Sequence, residues 1–288
     1  MTIKHLVLSG GSWKGLYMAG AIDSLIDEKY FERENIETLW VTSVGGLMSV
    51  LLCLKIEWKD IIEYFINVPI KVFEHRDLND YIKAYKNCGV LNKTFFIDLL
   101  NSLFKTNNLD INTITLKEFN DFSEKEINFV TTKYEELESV VFNYKTHPEL
   151  KLLDVLYASC CFPFGFEPAK INDEIYIDGG VTVHYPASYA LKEKKNDEIL
   201  GIYIKTMGVF NSDLSNMLNF GINLIYKVIF EKQKTLNLLN NELVITCESI
   251  NNSNGLKNLI NSKEERKKKI EEGKKYVYLF LKYSNDSI

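Results

Sequence analysis

The chain has 288 residues, 46% hydrophobic and 25% charged, with a net charge of −5. That is enough chain for one large domain or two small ones, in the balance of a folded globular protein rather than a disordered one. The negative charge argues against a general nucleic-acid binder, and no stretch approaches the roughly 20 apolar residues of a membrane span.

His5 to Ser9 reads as a short buried strand and Gly10 to Gly15, GGSWKG, as a turn. Leu16 to Glu28 has helical spacing, with Met18, Ala21, Ile22 and Leu25 on one side. Thr38 to Thr42 is a second strand, Val44 to Lys55 an apolar helix and Trp58 to Asn67 another helix. Lys71 to Asn120 reads as mostly helical with polar breaks, and Ile127 to Thr132 and Val140 to Tyr144 as strands. Leu152 to Cys160 is a helix that runs into CFPFGFEPAKIND, a loop by its prolines and glycine. EIYID is a strand ending at Asp178, Tyr185 to Lys194 a helix, and EILGIYIKT a strand rich in β-branched residues. A long helical pattern from Leu214 to Leu239, a strand at ELVITCES and a helix from Ser262 to Tyr283 complete the chain. This alternation predicts an α/β fold with a mainly parallel sheet flanked by helices.

The five cysteines, Cys53, Cys88, Cys160, Cys161 and Cys247, include no C-x-x-C pair, so no metal site is expected. Adjacent Cys160 and Cys161 are poorly placed for a bridge. Free thiols in a reducing compartment are the simplest reading. The apolar run of MTIKHLVLSGG is too short for a signal peptide. The expected location is cytoplasmic, with peripheral membrane contact allowed.

Three stretches carry chemistry. In SGGSWKG, adjacent glycines after a strand let backbone N–H groups turn toward one point, at a helix N-terminus that favours an anion. A P-loop is excluded because Lys14 precedes Gly15 and Leu16 follows it. A dinucleotide turn fits poorly, with Ser12 at its middle glycine. An oxyanion hole and a purely packing turn stay open. In TLWVTSVGG, Ser43 sits where a strand meets a helix, as in a nucleophile elbow. Gly45 is in place, but Val41 stands where G-x-S-x-G has its first glycine. The alternative is a serine that caps the helix. In YIDGG, Asp178 ends a strand at the carboxyl edge of the sheet, where sites gather. Its alternative role is a turn carboxylate for the amides of Gly179 and Gly180.

Taken together in chain order, LSGGSWKG, TSVGG, YASCCFPFGFEP and YIDGGVTVHYP resemble the patatin-like phospholipase family, over roughly His5 to Thr206. The resemblance implies one patatin-like domain over 1–288, with a motif-bearing core at about 5–206 and C-terminal helices and one strand at about 207–288. It implies a lipid acyl hydrolase of phospholipase A or lysophospholipase type with a Ser–Asp dyad, Ser43 as nucleophile and Asp178 as base. The oxyanion hole falls on the amides of Gly10, Gly11 and Ser12, supported by Lys14, Gly15, Gly45, Gly179 and Gly180. No cofactor or calcium is implied for the chemistry. The implied partner is a phospholipid or other lipid ester at a membrane surface, not nucleic acid; oligomeric state stays open.

This sequence departs from the family at Val41, at Ser12 in place of a third glycine, and at His184 in place of an asparagine. His184 raises the idea of an improvised triad, against a histidine bonding a loop carbonyl. Lys14 is read either as orienting a lipid phosphate or as packing. Trp13, Phe162, Phe164 and Phe166 flank the site, as interfacial anchors if exposed and core if buried. In SKEERKKKIEEGKK, the pairs Glu264–Lys268 and Glu265–Lys269 mark a solvated helix, with a membrane-facing basic patch as the sharper idea. The competing functional reading is a non-catalytic lipid-binding protein that lost activity at Val41.

Overall fold

A computed structural model describes residues 2–69, 78–207, 238–248 and 262–285, with isolated helical positions at 220, 221, 224 and 227. The helical pattern expected from Leu214 to Leu239 lies almost wholly outside the described residues.

β1 (His5–Leu8) and β2 (Thr38–Thr42) are buried on both faces, so they read as continuous runs instead of alternating ones. They pair in parallel with each other. β4 (Glu126–Lys133) joins β2 in parallel, β9 (Ile199–Met207) joins β1, and β10 (Asn241–Glu248) joins β9. β5 (Glu138–Phe142), β7 (Ala169–Ile171) and β8 (Glu174–Asp178) add antiparallel strands at the other side. The order is β10-β9-β1-β2-β4-β8-β7, with β5 also on β4. The sheet is thus mainly parallel, as the alternation of elements predicts. The loop expected at CFPFGFEPAKIND contains β7 and also β6 (Phe164–Phe166). β6 pairs with β3 (Gly89–Leu91), which falls inside the segment read as helical. Both are three-residue strands, too short to carry a period.

The register on β4 is what builds the site. β2 runs parallel to the first half of β4 and ends with Thr42 opposite Val130. β8 runs antiparallel to the second half and ends with Asp178 opposite Thr131. β5 pairs across Phe129 to Lys133 and so occupies the other edge. Two strands therefore end head to head on one edge of β4, at consecutive residues.

Helices cover the sheet. α1 (Gly15–Asp27) and α2 (Val44–Cys53) follow β1 and β2 and are buried along most of their length. α2 ends two residues before the expected Lys55, where Leu54 turns extended and Arg33 donates to the carbonyls of Leu52, Leu54 and Ile56. α3 (Trp58–Asn67), α4 (Leu78–Lys86), α5 (Thr94–Thr106) and α6 (Leu116–Ser123) follow. α6 starts at a capping box between Thr115 and Glu118. α7 (Leu152–Cys160) is buried, and α8 (Ala187–Glu193) precedes β9. No helix among the described residues is long and apolar enough to cross a membrane.

α9 (Lys263–Asn285) corrects the expectation of a solvated helix. It buries Arg266, Ile270 and Val277. It crosses α1 so closely that a Cβ on Gly20 would lie 1.9 Å from the Ile270 carbonyl oxygen, and one on Gly273 2.0 Å from that of Tyr17. Lys274 pairs with the buried Asp23 at 3.0 Å, and Lys269 with Glu272 at 2.9 Å. Among the described residues, Glu264–Lys268 and Glu265–Lys269 form no ion pair. The charge pattern reports the exposed face of α9, and the packed face is carried by a few apolar positions and glycine.

Candidate active site

The turn from β2 into α2 holds Ser43 at φ 53°, ψ −124°. This is a sparsely populated backbone for any residue but glycine. The Ser43 side chain makes no cap hydrogen bond to α2. Its hydroxyl instead donates to Asp178 Oδ2 at 2.6 Å. Gly45 permits the close approach of α2 to β1, since a Cβ there would lie 2.4 Å from the Leu8 carbonyl oxygen. Val41 needs no such room: its side chain is fully buried in the main core, opposite Leu8 and Phe129. The elbow geometry therefore depends on its second glycine and accepts a valine at the first.

Asp178 is buried and meets both the Ser43 hydroxyl and the turn that follows it. Oδ2 takes the Ser43 hydroxyl and Oδ1 takes the Gly180 amide, the latter also at 2.6 Å. Burial pushes its pKa up from 3.8 to about 7, against the opposing pull of the hydrogen bonds from Ser43 and Gly180. Gly179 packs against the Val130 carbonyl.

The glycine turn lies across the same cavity. Gly10, Gly11, Ser12, Lys14 and Gly15 line it with Ser43, Asp178 and Gly180. The Gly10 amide is engaged, donating to the His184 carbonyl at 2.9 Å. Among the described residues, neither the Gly11 nor the Ser12 N–H meets an acceptor. Ser12 holds a left-handed φ of 53°, a conformation that glycine adopts without strain.

His184 is buried, and its Nε2–H donates to the Ile204 carbonyl at 3.3 Å, which sets the tautomer. Burial holds its pKa down at about 4, so the ring is neutral. The histidine thus bonds a backbone carbonyl, but one on strand β9 where a loop carbonyl is expected. Lys14 is buried and donates to Thr206 Oγ1 at 2.9 Å. Burial lowers its pKa, and no carboxylate among the described residues pairs with it.

The cavity encloses about 140 Å³. Beyond Ser43 its wall is mostly apolar, with Leu47, Met48, Phe65, Phe95, Phe96 and Phe166. Of the four flanking aromatics, Trp13 and Phe166 pack on Phe95, and Phe162 faces the cavity. Phe164 is exposed.

Three residues of the site had escaped the sequence reading. Ser159, fully buried on α7, donates to the Val130 carbonyl at 2.7 Å and accepts the Ser43 amide at 3.0 Å. Its signal was a lone hydroxyl in the buried run VLYASCC. Cys160 lines the cavity beside Ser43 and Asp178, its thiol pushed well up by burial. Arg266 of α9 reaches the cavity wall and donates to the carbonyls of Ile66 and Val68 at the end of α3. No local signal marked it, because it comes from a helix more than 200 residues from the elbow.

Comparison with known proteins bears on the family and the fold. The family model for patatin-like phospholipase matches residues 6–191. The chain is 23% identical over 235 residues to an uncharacterized protein of Acanthamoeba polyphaga mimivirus, covering 82% of this chain and 76% of that one. It is 26% identical over 210 residues to a probable lipid hydrolase of Invertebrate iridescent virus 6, covering 69% of each. Among solved structures, VipD from Legionella pneumophila superposes with a TM-score of 0.58 at 16% identity, over 98% of this chain and 67% of that one, a likeness of fold. The elbow, the glycine turn and the aspartate strand all fall within the matched residues, and the chain belongs to the patatin-like phospholipase family.

Proposed function

We propose that this protein is a lipid acyl hydrolase of phospholipase A or lysophospholipase type, acting through an acyl-serine on Ser43. The observation that carries this reading is the 2.6 Å hydrogen bond from Ser43 to a buried Asp178, inside an apolar cavity. A carboxylate with a pKa near 4 is a poor base for a hydroxyl in water. Raised to about 7, Asp178 is matched to proton transfer near neutral pH. Ser43 Oγ attacks the ester carbonyl as Asp178 takes its proton, and the alcohol leaves with a proton. Water then enters through the same base and releases the fatty acid.

The amides of Gly11 and Ser12 are the donors for the oxyanion, while Gly10 anchors the turn through His184. A donor of this kind is worth about 3–4 kcal/mol in the transition state. The apolar wall suits an acyl chain. Lys14, a buried ammonium beside the turn, suits an anionic group such as a lipid phosphate. The substrate is drawn from a membrane surface, with exposed Phe164 placed to touch it. The non-catalytic reading rested on Val41. That residue packs in the core while Ser43 keeps its strained backbone, which favours the enzyme.

The test is fatty-acid release from mixed phospholipid micelles in chelator, comparing wild type with Ser43→Ala and Asp178→Asn. Release by wild type alone supports the dyad. Release by both variants would place the chemistry elsewhere. A folded wild type inert toward every head group would favour the lipid-binding reading.

A further inference from the structure

We propose that Ser159 is a positioning residue for the nucleophile, holding the Ser43 backbone in its strained turn through a hydroxyl bridge to β4. The inference rests on the reading of Ser43 as nucleophile. Ser43 sits at φ 53° and is not a glycine. Such a conformation persists only where its surroundings over-determine it. The carbonyl of Ser43 is held from the α2 side, by the Gly46 amide at 2.7 Å. The amide of Ser43 is held from the other side, by Ser159 Oγ at 3.0 Å. The same hydroxyl donates its proton to the Val130 carbonyl at 2.7 Å. Val130 is the β4 residue that faces Thr42, the last residue of β2.

The bridge therefore links three elements at the point where β2 ends. Ser159 has no exposed surface, so water cannot replace it without rearrangement. Removing its hydroxyl leaves a buried N–H and a buried C=O without partners, and the cheapest relief is rotation of the Ser43 peptide. The next turn of chain binds the second dyad residue: the Asp178 amide donates to the Cys161 carbonyl at 3.1 Å. The Ser159 to Cys161 end of α7 thus contacts the backbone of both Ser43 and Asp178. A shift at Ser159 changes the angle at which Ser43 Oγ meets the carbonyl, without touching the apolar wall that binds the chain.

The experiment measures kcat and KM on a soluble p-nitrophenyl ester, and the rate of labelling by a fluorophosphonate, for Ser159→Ala and Ser159→Thr. Misplacing a reacting atom by about an ångström costs about a hundredfold. Ser159→Ala should lower kcat by that order, with KM within about twofold. Labelling should slow by the same factor, and Ser159→Thr, which keeps the hydroxyl, should recover most of it. Ser49→Ala is the control. That buried hydroxyl donates to the Gly45 carbonyl at 2.8 Å within α2, so its loss should lower Tm and leave kcat near wild type. Should Ser159→Ala fail to fold, Ser159→Cys, with similar volume and a weak donor, is measured by the same criteria. A folded Ser159 variant without the hydroxyl and with kcat within about threefold of wild type, while Ser43→Ala is dead, overturns the inference alone. So does an equal loss of kcat in Ser49→Ala. Activity surviving in Ser43→Ala overturns the parent reading, and this inference with it.

Discussion

Asp178→Asn should inactivate the protein and stabilise it, and the stabilisation should grow with pH. Asn keeps the shape, accepting the Gly180 amide and facing the Ser43 hydroxyl, but cannot take a proton. In the folded protein, burial raises the Asp178 pKa from 3.8 to about 7. Unfolded, it returns to the ordinary value. Between these limits the native state binds a proton that the unfolded state has lost, so stability falls as pH rises. At about 1.4 kcal/mol per pH unit, the full penalty is about 4 kcal/mol, present above pH 7 and relieved below pH 4. Between pH 5 and pH 8 wild type should lose about 3 kcal/mol relative to the variant. That is about 5 °C in Tm for a chain of this size. The assay is chemical and thermal denaturation of both proteins at pH 5, 6, 7 and 8. A stability difference that stays constant over this range, or that shrinks with pH, would show that Asp178 is not held at a raised pKa. The same ionisation sets the acid limb of kcat/KM, which should fall below about pH 7 in wild type.

Val41→Gly, which restores the usual elbow spelling, should cost about 2–4 kcal/mol by leaving a cavity in the core, without raising kcat. Urea titration and turnover measure both, and a gain in kcat would show the valine to be a real handicap. Lys14→Met should raise KM for phospholipid about tenfold, the weight of a hydrogen bond to a charge, and leave turnover of a neutral short-chain ester unchanged. Equal losses on both substrates would assign Lys14 to packing. Gly273→Ala would set a Cβ 2.0 Å from the Tyr17 carbonyl oxygen, backbone against side chain, with no flexible atom to yield. It should cost about 1–3 kcal/mol, and lower kcat because α1 carries the glycine turn at its start. Unchanged stability would mean that α9 sits loosely on α1.

Much of the site was legible because its parts are local. A glycine pair after a strand, a serine between strand and helix, and an aspartate before two glycines each carry a backbone reason visible in a few residues. The alternative roles could not be separated that way. Ser43 as helix cap and Ser43 as Asp178 partner share one sequence, and the choice was made by what stands 135 positions away. Asp178 accepts from Ser43 on one oxygen and from the Gly180 amide on the other, so the contact with Ser43 and the turn role do not exclude each other. The glycine turn reads as three equivalent amides, but the His184 carbonyl takes that of Gly10. Charge pattern misled at α9, since salt-bridge spacing describes the wet face of a helix and is silent about Arg266, Ile270 and Val277 beneath it.

The sequence by itself determined the longer elements and their order, though not the three-residue strands β3, β6 and β7: buried strands as continuous apolar runs, turns where glycine and proline interrupt them, and an alternation that produces a mostly parallel sheet. Local periodicity and turn chemistry are enough for this, because hydrogen bonds and burial within one element depend on near neighbours. Only the tertiary structure decided that β2 and β8 end head to head on one edge of β4. That register brings Ser43 and Asp178 within 2.6 Å, excludes water from the carboxylate and so moves its pKa to about 7. Desolvation is a property of everything packed around a group, and no short stretch of chain encodes it.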